Sequence, residues 1–307
     1  PREVLQPAIA DRLEQAKTSD EVVQIVTQKD IKDKAVTPKG VEHAWNFRAE
    51  GVPDFSFATS NHANWDGTSL VVDEGTGRRV FTDVAYPDDV FHWDRGAEMS
   101  RQSIAYMSTE LPGIPFPYPE MTSFCGTARG GGMETPMMAN DGAPRRFIDF
   151  VEVLFHEISH TYMPFYMGTN ERKYAWMDEG WATYFPTEFM KVVDPESDYL
   201  RETRQGYTFL AGQEMELPLM VPSYQHNNFS SARVSAYTRP AVAYHYLRDA
   251  LGDKLFKKAL KEYMLRWNGK HPLPYDFFNT FEDVTGENLD WYWQPWFYSA
   301  GYPDLGI

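Results

Sequence analysis

The sequence predicts an α+β fold, a mostly antiparallel sheet lobe followed by a helical lobe, and three observations carry that expectation. Between about residues 41 and 140, aromatic and β-branched residues come in short runs broken by Gly, Asp and Asn, the pattern of antiparallel strands. From about residue 141 to 307, apolar residues recur at helical spacing. A chain of 307 residues, 42% of them hydrophobic, can bury a large core.

The elements follow in order. Residues 1–40 read as an N-terminal helical segment with a short apolar stretch, closing in a linker over residues 31–40 that holds Lys32, Asp33, Lys34 and Pro38. "HAWNFRAEG", "DFSFATS", "TSLVVDE" and "RRVFTDVAY" are the expected strands. Asp88 and Asp89 open a helix through Met107, and "MTSFCGT" is the expected edge strand before a glycine-rich turn at Gly131 and Gly132. Asn140 or Asp141 then offers a cap and Pro144 suits a first turn. The helix that follows has an apolar face of Phe147, Ile148, Val151, Leu154, Phe155 and Ile158, and Pro164 stops it. A second helix starts near Tyr174, and Pro186 marks its kink or end. Two more helices, "PAVAYHYLRDALG" and "DKLFKKALKEYMLRW", are separated by Gly252.

A formal net charge of −15 argues against nucleic acid and anionic membrane surfaces as partners. The single cysteine, Cys125, excludes an intrachain disulfide framework and a cysteine-rich metal site. No run approaches eighteen uncharged apolar residues, so no transmembrane helix is expected. The N-terminus lacks the basic and apolar segments of a signal peptide. The compartment stays open between bacterial periplasm or cell envelope and cytoplasm.

The chemistry is concentrated in His156-Glu157-Ile158-Ser159-His160 and, after eighteen intervening residues, Glu179. On a helix, residues four apart sit about 40° apart around the axis and about 6 Å apart along it, so two imidazoles can address one ion. Glu157 falls about 100° round from His156, suited to act on water at the ion without ligating it. Two His and one Glu leave a tetrahedral zinc a fourth position for water, whose pKa drops to about 7. One Zn2+ per chain is the expected cofactor.

These motifs resemble the aminopeptidase-N-like gluzincins. "WMDEGWA" stands where that family commonly has "WLNEGFA", and Gly131-Gly132-Met133-Glu134-Thr135 resembles its exopeptidase motif GAMEN, departing in Gly132 and Thr135. "GIPFPYPE" (residues 113–120) is close to the family's "GIPYPYPK", and "AYTRPAVAYHYLRDALG" (236–252) resembles its "PYEKGFALLFYLEQLLG". The resemblance runs from about Val41 to the C-terminus and implies a thermolysin-like zinc peptidase domain over residues 41–307, with zinc in the cleft between the lobes. It further implies that a β-rich domain precedes this part in the full-length protein.

By that resemblance His156, His160 and Glu179 are the metal ligands, and Glu157 is the general base that later passes its proton to the leaving amine. Tyr237 becomes the oxyanion donor, with an ordinary core tyrosine as the plain alternative. Glu134 pairs with the free α-ammonium of a peptide. Gly131, Gly132 and Met133, with Gly130, let the substrate backbone run along an edge strand. The implied function is zinc-dependent removal of the N-terminal residue from peptides with a free N-terminus. A thermolysin-like endopeptidase, a zinc-stabilised peptide-binding module without turnover and hydrolysis of other electrophiles such as epoxides are the alternatives.

The remaining candidates have plainer readings. Asp178 is a helix-start carboxylate, Glu188 a solvated helix face, and Arg239 a structural ion pair as readily as a substrate contact. His43, His62, His92, His226, His245 and His271 show no ligand spacing. "WYWQPWFYSAGYP" (291–303) packs the domain end rather than stacking on sugars.

Overall fold

The computed structural model describes residues 1–40, 42–126, 131–213 and 215–300. They fall into two compact units, one of Pro1–Thr109 with Pro115–Thr161, the other of Glu110–Ile114 with Tyr162–Ile307.

The first unit is built on a sheet. Helix α1 (Pro7–Ala16) has proline at its first turn and buries Ile9, Ala10, Leu13 and Ala16. These pack with Leu5, Ile25 and Val26. Strand β1 (Val23–Val26) leads into the short helix α2 (Gln28–Lys32), whose Thr27 and Asp30 form a reciprocal capping box. Asp30 also accepts Arg12, at 2.9 Å, which holds its carboxyl well below the usual carboxylate range. Strands β2 (Asn64–Asp73) and β3 (Arg78–Tyr86) form the long central hairpin. Helix α3 (Gly96–Thr109), β4 (Glu120–Phe124), β5 (Glu134–Thr135), β6 (Met138–Asn140) and helix α4 (Phe147–Ser159) follow.

The sheet order is β1-β2-β3-β4-β6-β5. Three pairings are antiparallel (β1/β2, β2/β3, β5/β6) and two are parallel (β3/β4, β4/β6). "MTSFCGT" is therefore an interior strand, not the expected edge; the far edge is β5, beyond the hairpin that closes at Pro136 and Met137. Residues 42–63 form no strand. Alternation in "DFSFATS" points Ser56 at Thr135, Oγ to Oγ1 at 2.5 Å, while Phe55 and Phe57 stay exposed. Backbone alternation sets which side chains share a face but supplies no neighbour to pair with. The place beside β2 is taken instead by β1, a strand from the N-terminal stretch.

Two helix starts also differ from expectation. A 3-10 turn, Trp93–Arg95, precedes α3, which begins at Gly96 rather than at Asp88. Helix α4 begins at Phe147 with Arg146 at its cap position and no side-chain cap, because Asn140 is in β6 and Asp141 is buried. The apolar face matches the expected one: Phe150, Val151, Leu154, Phe155 and Ile158 are buried. The helix ends at His160, and Met163 just before Pro164 is extended.

The second unit is helical: α5 (Glu179–Tyr184), α6 (Pro186–Val193), α7 (Tyr199–Thr208), α8 (Phe229–Arg233), α9 (Arg239–Leu251), α10 (Asp253–Trp267), α11 (Pro274–Thr285) and α12 (Asp290–Trp293). Pro186 starts α6, and Gly252, at φ +78°, separates α9 from α10 as expected. Its core is aromatic. Trp181 stacks on Tyr244 with centroids 3.7 Å apart, and Phe278 meets Trp293 at 4.8 Å and Phe297 at 5.0 Å. Tyr292, Trp293, Trp296 and Phe297 are buried and pack the core as expected, while Trp291 is exposed; residues 301–303 lie outside the described part.

Candidate functional site

The first unit places His156 and His160 one turn apart at the end of α4. Their Nε2 atoms are 3.1 Å apart, with the rings 80° to one another. Two imidazole nitrogens converging this closely aim at one point, and nitrogen donors of this type suit zinc. His160 is buried and His156 half-buried; Ser159 Oγ donates to the His156 carbonyl at 2.7 Å. A Glu134 carboxylate oxygen lies within 4.8 Å of a ring nitrogen of His160.

Glu134 reaches this position on the edge strand. Met133 exchanges both backbone hydrogen bonds with Asn140 on β6, N to O at 3.0 and 2.9 Å. Alternation along a strand then turns the backbone groups of Gly132 and Glu134 toward the open edge. The Gly131 carbonyl accepts from Gly142 N at 2.8 Å, so it is committed inside the unit. The Met133 side chain is exposed. Gly130 falls outside the described residues.

Glu157 is buried beneath this strand, at 6% exposure, against Gly132. A second acid, Asp141, is fully buried near it. Burial pushes the Asp141 carboxyl well above the ordinary range, the Glu157 charge raises it further, and the Ser123 hydroxyl opposes both. From its sequence position Asp141 reads only as a helix cap. Nothing in one sequence separates a capping Asp from a buried one.

In the second unit, the Tyr237 hydroxyl donates to Glu179 Oε1. The pairing has a packing cause. A Cβ at Gly180 would meet Pro240 at 2.7 Å, so glycine there lets α5 lie close against α9 and brings Glu179, the first residue of α5, to the turn carrying Tyr237. The Arg233 guanidinium covers the Tyr237 ring at 5.0 Å from its centroid. Asp178 occupies the cap position of α5 without a side-chain cap bond.

Arg239 takes the structural role. Its side chain is 1% exposed, its Nη2 donates to the carbonyls of Pro295 and Ser299 at 3.2 and 2.7 Å, and Glu216 lies 3.9 Å from Nη1. Glu188 faces Lys191 on an exposed helix side. Among the described residues, no group able to hold a metal includes His43, His62, His92, His226, His245 or His271. Cys125 is in no disulfide, and burial pushes its thiol up to about 11. No helix of the described residues is long and apolar enough to cross a membrane.

Known proteins resemble this chain over part of its length. Leucine aminopeptidase 2 of Coccidioides immitis is 26% identical over 191 residues, covering 56% of this chain and 30% of that protein. A leukotriene A-4 hydrolase homolog of Botryotinia fuckeliana is 24% identical, covering 56% and 29%. The chain thus spans under a third of the length of these relatives. Among solved structures, the M1 zinc metallopeptidase from Deinococcus radiodurans superposes with a TM-score of 0.63 at 19% identity, over 78% of this chain and 53% of that one. The same protein as a mutant bound to a Tyr-Ser-Ala substrate superposes at 0.58. Residues 114–296, more than half of the chain, match the Peptidase family M1 domain. They take in the histidine pair, Glu157, Glu134, Glu179 and Tyr237, and the chain belongs to peptidase family M1.

Proposed function

We propose that this chain is the thermolysin-like catalytic part of a zinc aminopeptidase, with one zinc held by His156, His160 and Glu179. The observation that carries this is the convergence of the two Nε2 atoms at 3.1 Å, on a helix followed after eighteen intervening residues by Glu179. Bound there, zinc supplies Lewis acidity, lowering the pKa of water and polarising a carbonyl. Glu157, next to His156 and buried, accepts the proton of the attacking water and returns it to the leaving amine. Tyr237 turns its hydroxyl from Glu179 to the oxyanion as charge develops there. Glu134, on the open edge beside His160, pairs with the α-ammonium of the substrate. That last contact restricts cleavage to the first residue, since an internal bond has no such charge to offer. The leucine aminopeptidases among the relatives support the same reading.

Elemental analysis beside hydrolysis of aminoacyl-anilides tests the assignment. The chain is expected to carry one zinc, His160→Ala and Glu179→Ala to lose it, and Glu157→Gln to keep it while kcat falls at least a hundredfold. Near-normal kcat in Glu157→Gln would remove Glu157 from the mechanism, and full zinc content without cleavage in the unaltered chain would favour a binding module.

A further inference from the structure

The helical run that carries Tyr237 has a face leading outward from its hydroxyl. Helix α8 (Phe229–Arg233) passes directly into the wider turn Val234–Thr238. Phe229 and Arg233 are four apart on α8 and share a side of it. The Arg233 guanidinium, 5.0 Å from the centre of the Tyr237 ring, puts that ring on the same side. Along this face the order is therefore Tyr237, whose hydroxyl donates to Glu179 Oε1, then Arg233, then Phe229. Phe229 is 82% exposed and Arg233 is exposed as well, so a ligand can reach the face.

Arg233 is committed to no acid. Among the described residues it forms no ion pair, and its contact is with the ring. That contact engages the charge with the π-face and uses none of the N–H donors, so the planar fork that matches a carboxylate stays available. A scissile carbonyl that accepts from the Tyr237 hydroxyl is followed by a residue whose Cα is about 3.8 Å from that of the residue removed. A carboxylate on that next residue comes within reach of a guanidinium already resting on the Tyr237 ring. The surrounding field, from a net charge of −15, opposes any carboxylate arriving here, and a local cation offsets it.

We infer that Arg233 is a specificity residue that takes a carboxylate carried by the residue just after the scissile bond. That carboxylate is the C-terminus of a dipeptide or the side chain of Asp or Glu in the second position. The inference rests on the reading of Tyr237 as the oxyanion donor and names the substrate class that the same site prefers.

Two matched pairs test it: Leu-Ala against its C-terminal amide, and Leu-Asp-amide against Leu-Asn-amide. In at least one pair kcat/KM should be about fivefold or more higher for the carboxylate member, and which pair shows it tells a terminal carboxylate from a side-chain one. Arg233→Gln should bring that ratio to about one or below and leave the neutral members within about twofold. Arg233→Glu should reverse it. No preference in either pair, or a preference that survives in Arg233→Gln, would overturn the inference. So would equal loss on carboxylate and neutral members, which would assign Arg233 to holding the Tyr237 ring. Calorimetric titration of the zinc-loaded Glu157→Gln chain with the same four compounds reads the contact without turnover. The carboxylate member should bind about fivefold tighter there and lose that margin in Glu157→Gln/Arg233→Gln; equal binding in the first chain overturns the inference. An inactive zinc-loaded chain that still shows the margin sinks the aminopeptidase reading and leaves this one standing.

Discussion

A phenol that already donates to a carboxylate has a hydrogen it can redirect. Tyr237 is in that state, on Glu179, under the guanidinium of Arg233. Tyr237→Phe keeps the ring and its cation contact and removes only the hydroxyl. The expected result is a kcat lower by about 10²–10³, with KM little changed, because the lost hydrogen bond is strongest when the oxyanion has formed. Steady-state kinetics on one anilide checks this, and an equal loss in KM alone would assign Tyr237 to ground-state binding. At this scale the sequence is most legible where a residue's chemistry depends on fixed local spacing. His156 and His160 meet because four residues on a helix bring them together, whatever else the chain does. Gly132 and Asp141 are not legible in the same way, since the acid they face lies 25 and 16 positions further along the chain.

Element by element, the helices are easier to read than the sheet, for a physical reason. Helix α4 hydrogen-bonds within itself, so its apolar face can be read from Phe150 to Ile158. Strands need partners, and the sequence "DFSFATS" cannot reveal that none is supplied. Nor can "MTSFCGT" show that β4 is flanked on both sides by parallel neighbours. The join between β3 and β4 also carries a buried acid. Trp65 Nε1 donates to Asp83 Oδ2 at 2.5 Å and Thr122 Oγ1 to Oδ1 at 2.6 Å, and burial still pushes the carboxyl up to about 7. Its folded pKa lies above the ordinary 3.8, so the protonated form favours the fold. The contribution is complete below about pH 4 and is lost as pH rises through about 7. Denaturant unfolding from pH 4 to 8 should show stability from this group declining by a few kcal/mol, since every tenfold gain in proton affinity on folding is worth about 1.4 kcal/mol. Asp83→Asn should flatten that decline. Identical pH slopes in the two proteins would contradict the assignment.

For the molecule as a whole, composition and family membership bear on what reaches the site. A net charge of −15 surrounds it with a field that attracts cationic groups, and the free N-terminus of a peptide is one. Activity on such substrates should therefore fall with ionic strength, through KM more than kcat. The match to peptidase family M1 over residues 114–296 fixes the lineage, and the chain spans 30% of the length of the Coccidioides enzyme. The central claim is that zinc activates the attack and Glu134 measures from the amino end. The most direct measurement is the rate of cleavage of one peptide with its N-terminus free and acetylated, each with and without chelator. Cleavage of the free peptide alone, abolished by chelator and restored by zinc, is the predicted result; equal cleavage of the acetylated peptide would contradict it.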